Sequence, residues 1–407
     1  MENSSGAATL ATEKKAVNKT VLPILFAISG AHLLNDTMQS VIPAIYPLLK
    51  DNYQLTFTQI GLITLAFQLT ASLLQPVVGY VTDKTPRPYS LVIGMVFSLV
   101  GLLLMAQAAH YVFILLAVAL VGMGSAVFHP ESSRVAYLAS GGKRGLAQSI
   151  FQIGGNAGGA IGPLLAAIII IPYGQGHVGW FGLAAVLAMV VLTPVAGWYR
   201  DNVQQKKSRP HPTEEVHSRL PRRTVNTTVA LLLVLIFSKY FYLASLTSYF
   251  TFFLIDKFAV SVQQSQVYLF IFLAAVAVGT LIGGPLGDRF GRKYVIWFSI
   301  LGIAPFTLLL PYADLFWTIT LSVFIGMALS SAFPAILVYA QELMPGRVGM
   351  ISGLFFGFAF GMGGLGSALL GKLADVTSIA YVFELCAFLP LLGVVAAWLP
   401  RVLPQEE

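Results

Sequence analysis

Gly284-Pro285-Leu286-Gly287-Asp288-Arg289-Phe290-Gly291-Arg292-Lys293 is a short charged turn between two long apolar runs. It has a counterpart 205 residues earlier. Gly79-Tyr80-Val81-Thr82-Asp83-Lys84-Thr85-Pro86-Arg87-Pro88 keeps the first glycine, the aspartate and two of the basic residues, with Pro86 in place of the second glycine. Outward from these turns the correspondence continues at an offset of 204. Gly122-Met123 and Pro130 match Gly326-Met327 and Pro334, while Gly159 and Gly162 match Gly363 and Gly366. Among 38 glycines each match alone is weak, but a shared offset is not. The second half of the chain restates the first.

The 407 residues are 57% hydrophobic and 10% charged, with a mean hydropathy of +0.79. Soluble domains carry roughly 25% charged residues, so one or two water-soluble domains are excluded. Apolar runs divide the chain into twelve expected spans, near 21–49, 57–81, 90–109, 112–138, 145–171, 178–199, 226–254, 264–286, 293–311, 313–340, 347–371 and 379–400. The expected organisation is a polar tail over 1–20, a six-helix half over 21–199, a linker over 200–225, a second half over 226–400 and a tail over 401–407. An even number of spans puts both termini on one side. With that side cytoplasmic, 19 of the 24 Lys and Arg fall on cytoplasmic segments. Three (Lys50, Lys257 and Lys372) fall outside, and Arg134 and Lys239 lie within spans. Positive residues favour the cytoplasm, so both termini are expected inside. The net charge of +7 is then a topology signal rather than a nucleic-acid surface. The single cysteine, Cys386, allows no intrachain disulfide.

The Gly284–Lys293 turn resembles the loop signature of the major facilitator superfamily. Span five adds Gly154, Gly158 and Gly162-Pro163, whose second pair resembles the GxxxGP core typical of the superfamily's antiporters. It then departs, with Ala166-Ala167 where the pattern has glycines. Span four departs too, since Val118 stands where the superfamily carries an arginine. Further stretches resemble the superfamily's fosmidomycin-efflux branch: His32 to Asp36 with Gln39 and Pro43 to Pro47, Phe128 to Arg134, Phe237 to Tyr242, and Val338 to Glu342. The resemblance implies an all-α membrane protein whose two pseudo-symmetric six-helix halves rock about a central cavity. It also implies proton-driven export of a small polar or anionic drug across the bacterial inner membrane, by a protein functional as a monomer.

The residues themselves reach as far as a secondary transporter. An ionisable side chain in mid-span costs roughly 2.5–3.5 kcal/mol on insertion scales and is a functional candidate by default. His32, Asp36, Gln39, Pro43 and Tyr46 form one stripe at helical spacing. Asp36 leads as proton carrier, the plainer reading being a bond to a neighbouring helix. Lys239 occupies the middle of span seven, nearly equivalent to Asp36 in the other half. It either forms a static salt bridge or shares a substrate across the cavity. On span four, His129 and Glu131 are about 200° apart and Glu131 and Arg134 about 60° apart, so Glu131 and Arg134 pair on one face and His129 takes another. His129 and Glu131 join Asp36 as proton-coupling candidates. Lys239 and Arg134 are the candidate cations for an anionic drug, with His32, Asn35, Gln39, Tyr46, Gln68, Gln152, Asn156 and Tyr242 as further substrate-binding candidates. Gly79, Asp83, Arg87, Gly284, Asp288, Arg289, Gly291 and Arg292 are expected to latch one conformation, with Glu342 as gate partner of the Asp288–Arg292 loop. Gly154, Gly158, Gly162 and Pro163 are expected to pack helices closely.

No GxxxxGK[ST] motif is present, nor HExxH or a cysteine–histidine cluster, so neither ATP, a metal nor another cofactor is expected. No catalytic set is assignable, and the chain is not read as an enzyme. Proton-coupled uptake, and a non-transporting sensor of the same fold, stand as the alternatives to efflux.

Overall fold

The computed structural model describes residues 20–55, 57–208, 221–260 and 262–400, which contain helices and no strand. Twelve principal helices run α1 Leu22–Ala44, α2 Phe57–Lys84, α3 Ser90–Gln107, α4 Tyr111–Ala139, α5 Arg144–Leu165, α6 Gly182–Ser208, α7 Arg222–Phe258, α8 Val262–Phe290, α9 Arg292–Ile300, α10 Leu315–Leu343, α11 Val348–Val376 and α12 Ile379–Cys386. Residues 1–19 of the expected tail 1–20, the tail 401–407 and linker residues 209–220 lie outside the described residues.

Several spans depart from single helices. The first breaks after Ala44 and resumes as a separate helix, Tyr46–Tyr53. Span five continues as a π-helical turn, Ala166–Ile170. Span nine stops at Ile300 and resumes at Ala304–Leu309, with Pro305 in the first turn, where its missing N–H leaves no bond unmade. The twelfth ends in a 3₁₀ stretch, Leu389–Trp398, which also starts beside a proline, Pro390. α6 runs on to Ser208 and α7 begins at Arg222, so both helices reach into the expected linker 200–225.

Among the described residues ten spans are long and apolar enough to cross a membrane, α9 and α12 counted together with the segments that continue them to Tyr312 and Trp398. The two that are not, α1 and α5, pack along each other. Their polar stripes face inward, while Leu69, Leu73, Phe113, Leu183, Phe298 and Phe316 on other helices lie exposed on the outside. Apolar side chains outward and polar side chains inward is the arrangement a bilayer imposes.

The internal repeat is visible in the packing. α5 lies along α1 as α11 lies along α7, and α2 lies along α4 as α8 lies along α10. Equivalent glycines meet equivalent helices: Gly122 abuts α2 at Thr70 and Gly326 abuts α8 at Phe272, whereas Gly159 and Gly363 both face open space. The two halves touch through α2 against α11 and α5 against α8, pairs exchanged by the same pseudo-two-fold relation.

Candidate functional site

Two regions concentrate polar side chains. The first joins the halves on the face where α2 and α8 end and α5 and α11 begin, hereafter the linker face. Asp83, at the end of α2, accepts backbone N–H bonds from Gly349 (2.9 Å) and Met350 (2.8 Å) in the first turn of α11. Asp288, at the end of α8, accepts from Gly145 and Leu146, both 3.1 Å, in the first turn of α5. A helix start carries unpaired N–H groups and positive dipole charge, so a carboxylate there is held by both effects. Gly79 sits against Gly349, and Gly284 against Gly145. A Cβ on any of these four would meet backbone of the other half.

Each latch has its own ion pairs. Arg134 lies 3.6 Å from Asp83 and 3.7 Å from Glu131, and donates to the Thr82 carbonyl. Glu131, fully buried, accepts from Ser90 Oγ at 3.1 Å. In the other half Arg292 binds Asp288 (3.2 Å) and Glu342 (3.0 Å), and Arg144 also reaches Glu342 (3.2 Å). Gly291 joins α8 to α9 with φ +93°, a left-handed conformation that glycine takes freely. Pro86, confined near φ −65°, cannot follow that path, and five residues separate α2 from α3 in the first half. Arg87 and Arg289 are exposed, Arg289 over the Phe290 ring. Deeper between the halves, Gln341 Nε2 donates to Ser133 Oγ (3.1 Å) and Ser352 Oγ (2.9 Å), and Asn156 donates to Thr280 (3.0 Å).

The second region centres on Asp36. Its carboxylate accepts from Asn35 (2.9 Å) and Gln39 (3.4 Å), both on α1. His32 Nε2 lies 3.3 Å away and His129 Nε2 3.7 Å away. Both imidazoles are fixed from behind. His32 Nδ1 is 2.8 Å from the Phe151 carbonyl and its ring stacks on Phe151; His129 Nδ1 is 3.0 Å from the Ser125 carbonyl. Carbonyls only accept, so both Nδ1 atoms carry hydrogen, and each Nε2 faces Asp36 as a donor when the ring is protonated and as a lone pair when it is neutral. Asp36 is 22% exposed, against 3% for His32 and 0% for His129, so the trio is entered through its carboxylate.

Glycines of α5 make this possible. Gly154, Gly158 and Gly162 meet Ser29, Leu33 and Ser40 of α1, and a Cβ on Gly155 would overlap the His32 ring and lie 2.7 Å from Asp36 Oδ2. Around Asp36, Gly155, Ser125 and the Phe151 carbonyl are contributions that sequence reading missed, as Arg144 is in the latch. Ser125 had a visible signal, four residues before His129, whereas a backbone carbonyl has none.

Lys239 stands apart from both regions. Its ammonium makes no hydrogen bond or ion pair among the described residues and lies 5.1 Å from the Tyr240 ring centre and 5.2 Å from that of Phe333. Phe333 packs edge-on to Phe356 (5.2 Å between centres), and Phe356 on His129 (5.2 Å), so aromatic rings bridge Lys239 to the Asp36 region. Arg134 does not join Lys239, because its charge is occupied by Asp83 and Glu131. Gln152 is half-buried with Oε1 unpartnered, Gln68 lies beside Gly364, and Tyr242 is buried in the core of the second half. The side chains of Tyr46 and Pro163 lie outside the described residues. A separate groove of about 520 Å³ between α8, α9 and α10, lined by Phe290, Phe298 and Phe324, contains none of these residues.

Twelve helices in two related halves, latched by paired aspartates around a buried polar centre, are the architecture of an alternating-access transporter. The chain belongs to the Major Facilitator Superfamily, whose sequence pattern matches residues 28–276 and 232–407. It is 62% identical over 396 residues to the fosmidomycin resistance protein of Escherichia coli K12, covering 97% of this chain and 96% of that one. It is 44% identical to the uncharacterized MFS-type transporter YfnC of Bacillus subtilis 168, covering 95% and 96%. Among solved structures, the human organic anion transporter MFSD10 superposes with a TM-score of 0.73 at 15% identity, covering 93% and 99%. The transporter FucP in its outward conformation superposes at 0.71 and 14%, covering 94% and 100%. These two likenesses concern the fold.

Proposed function

We propose that the chain exports a small polar, anionic drug of the fosmidomycin kind by alternating access, driven by protons moving inward. The observation that carries the anion reading is Lys239, a buried ammonium with no carboxylate partner among the described residues. A cation in that position attracts an oxyanion with little competition from the protein's own acids. Likeness to the fosmidomycin resistance protein supports the direction and the class of drug.

In this reading the linker face is cytoplasmic, both termini lie on the cytoplasmic side of the bacterial inner membrane, and one chain suffices. The latches hold the cytoplasmic side shut. Asp36 is reached from outside and exchanges the driving proton, with His32 and His129 behind it. Arg134, Glu131, Arg292 and Glu342 belong to the latch and act on the equilibrium between inward and outward states.

Reconstituted vesicles test the reading. Efflux of labelled fosmidomycin is expected to follow an imposed pH gradient, to stop when an ionophore collapses it, and to be indifferent to ATP. Efflux that persists without a proton gradient overturns the coupling, and absence of labelled counterflow overturns transport itself.

A further inference from the structure

His32, Asp36 and His129 make a triangle of ligand-type atoms whose dimensions suit something larger than a proton. His32 Nε2 is 3.3 Å from Asp36 Oδ2 and 3.3 Å from His129 Nε2, and His129 Nε2 is 3.7 Å from Asp36 Oδ1. Hydrogen bonds from nitrogen centre near ~2.9–3.0 Å. Four ligands held tetrahedrally at ~2.0–2.1 Å from zinc stand about 3.3 Å apart, which is twice the bond length multiplied by the sine of half the tetrahedral angle. One ligand atom from each of the three residues lies within 4.8 Å of the others.

The surroundings agree. Each Nδ1–H is tied to a backbone carbonyl, Phe151 for His32 and Ser125 for His129, which makes Nε2 the ligating nitrogen of the neutral ring. That outer-shell bond is what metal-ligating histidines ordinarily make. The carboxylate is steadied by Asn35 and Gln39, and Gln39 in turn accepts from Ser125 Oγ at 3.1 Å. Among the described residues the elements packed around the trio bring no further charge to it: α5 brings Phe151 and Gly155, and α11 brings Phe356 and Phe360. Three inward ligand atoms on three fixed side chains, with no ammonium or guanidinium bonded to them among the described residues, are available to a cation.

We propose that His32, Asp36 and His129 bind one divalent transition-metal ion of the zinc type, its fourth position opening past Asp36 to solvent. Two imidazoles and one carboxylate suit zinc, cobalt or nickel and disfavour magnesium or calcium, which prefer oxygen. Sequence reading expected no metal because neither HExxH nor a cysteine–histidine cluster is present; here only His32 and Asp36, four residues apart, share a helix, and the third ligand arrives from α4. Bound there, the ion takes the lone pairs that a coupling proton would use, so it inhibits transport by competition. The binding itself does not depend on the transport reading.

The test uses the full chain in lipid nanodiscs with cobalt(II) as probe and zinc(II) as competitor, in a background where His110, His177, His211 and His217 are alanine. One equivalent of cobalt is expected, with the visible ligand-field bands of low coordination number, displaced by one equivalent of zinc and reversed by a chelator. Replacing His32→Gln or His129→Gln is expected to weaken binding at least about tenfold. X-ray absorption at the zinc edge of the same His32- and His129-containing protein is expected to show two imidazoles, and this readout stands if the glutamine variants fail to fold. No stoichiometric binding, fewer than two imidazoles, or binding that survives His32→Gln with His129→Gln overturns the site. Failure to bind metal while proton-driven efflux is intact overturns this assignment alone.

Discussion

Asp83 and Asp288 bind across to opposite halves in the same way: each carboxylate uses both oxygens to hold two consecutive backbone N–H groups at the first turn of a helix in the other half. The pair is symmetric in geometry but not in support. Asp83 shares Arg134 with Glu131, whereas Asp288 shares Arg292 with Glu342, which also holds Arg144. Neither carboxylate contacts Lys239 or Asp36, so the latch is separable from the polar centre.

That separation predicts the behaviour of Asp83→Asn and Asp288→Asn. An asparagine offers one acceptor oxygen and turns its NH2 toward the second backbone N–H, which is a clash of donors. A carboxylate at a helix start contributes about 1–2 kcal/mol, so the closed state loses a factor of about 5–30. Turnover in vesicles is expected to fall accordingly, with fosmidomycin affinity little changed in a direct titration. An equal loss of affinity contradicts the assignment.

Arg134→Ala distinguishes the latch from the drug site. Its guanidinium contacts are Thr82, Asp83 and Glu131. Its removal leaves two buried or half-buried carboxylates without a cation and is expected to shift the conformational equilibrium. Accessibility of cysteines introduced at the linker face reads that shift. A loss of phosphonate affinity as large as that of a Lys239 variant shows instead that Arg134 touches the drug.

Lys239→Ala is expected to weaken phosphonate binding about 10–100-fold, the range for a hydrogen bond to a charged group at ~1.5–3 kcal/mol. Lys239→Arg keeps the charge and is expected to retain part of the affinity, though the planar fork needs more room. Isothermal titration with both variants decides. Unchanged affinity in Lys239→Ala removes the lysine from the drug site.

Gly155→Ala adds one methyl in a place already filled by the His32 ring and Asp36. Overpacking of this kind costs about 1–3 kcal/mol, and relief requires α1 and α5 to separate or His32 to turn. Efflux is expected to drop at least about tenfold while the protein still inserts and elutes as a folded species. Activity equal to the parent's shows that the close approach of α5 to the trio is dispensable.

The fold was legible because bilayers leave strong marks on sequence. Apolar run lengths and the 204–205-residue offset carry the twelve helices and their symmetry. Partnership was less legible. The 60° between Glu131 and Arg134 follows from helix geometry alone, but the third member, Asp83, lies on α2, and what it binds in α11 is backbone, which any residue presents. The same limit hid half of the polar centre. The stripe from His32 to Gln39 is a local pattern, whereas the approach of His129 depends on how α4 leans on α1. Lys239 was visible as a charge in an apolar run. That it lies against rings instead of a carboxylate is a property of packing, which composition does not encode.

The mutual dependence of α1 and α5 bears on how the protein is made. α1 ends at Ala44 and α5 starts at Arg144, so one is synthesised a hundred residues ahead of the helix that shelters its polar stripe. At roughly 5–20 residues per second, the ribosome takes several seconds or more to deliver that shelter. During this interval Asp36 and His32 face either lipid or the walls of the insertion channel, and α1 is the segment most prone to slip back toward the water. A lesion that keeps α5 out of the bilayer therefore acts on α1 before a folded protein exists, unlike a single added methyl such as Gly155→Ala, which leaves α5 able to insert.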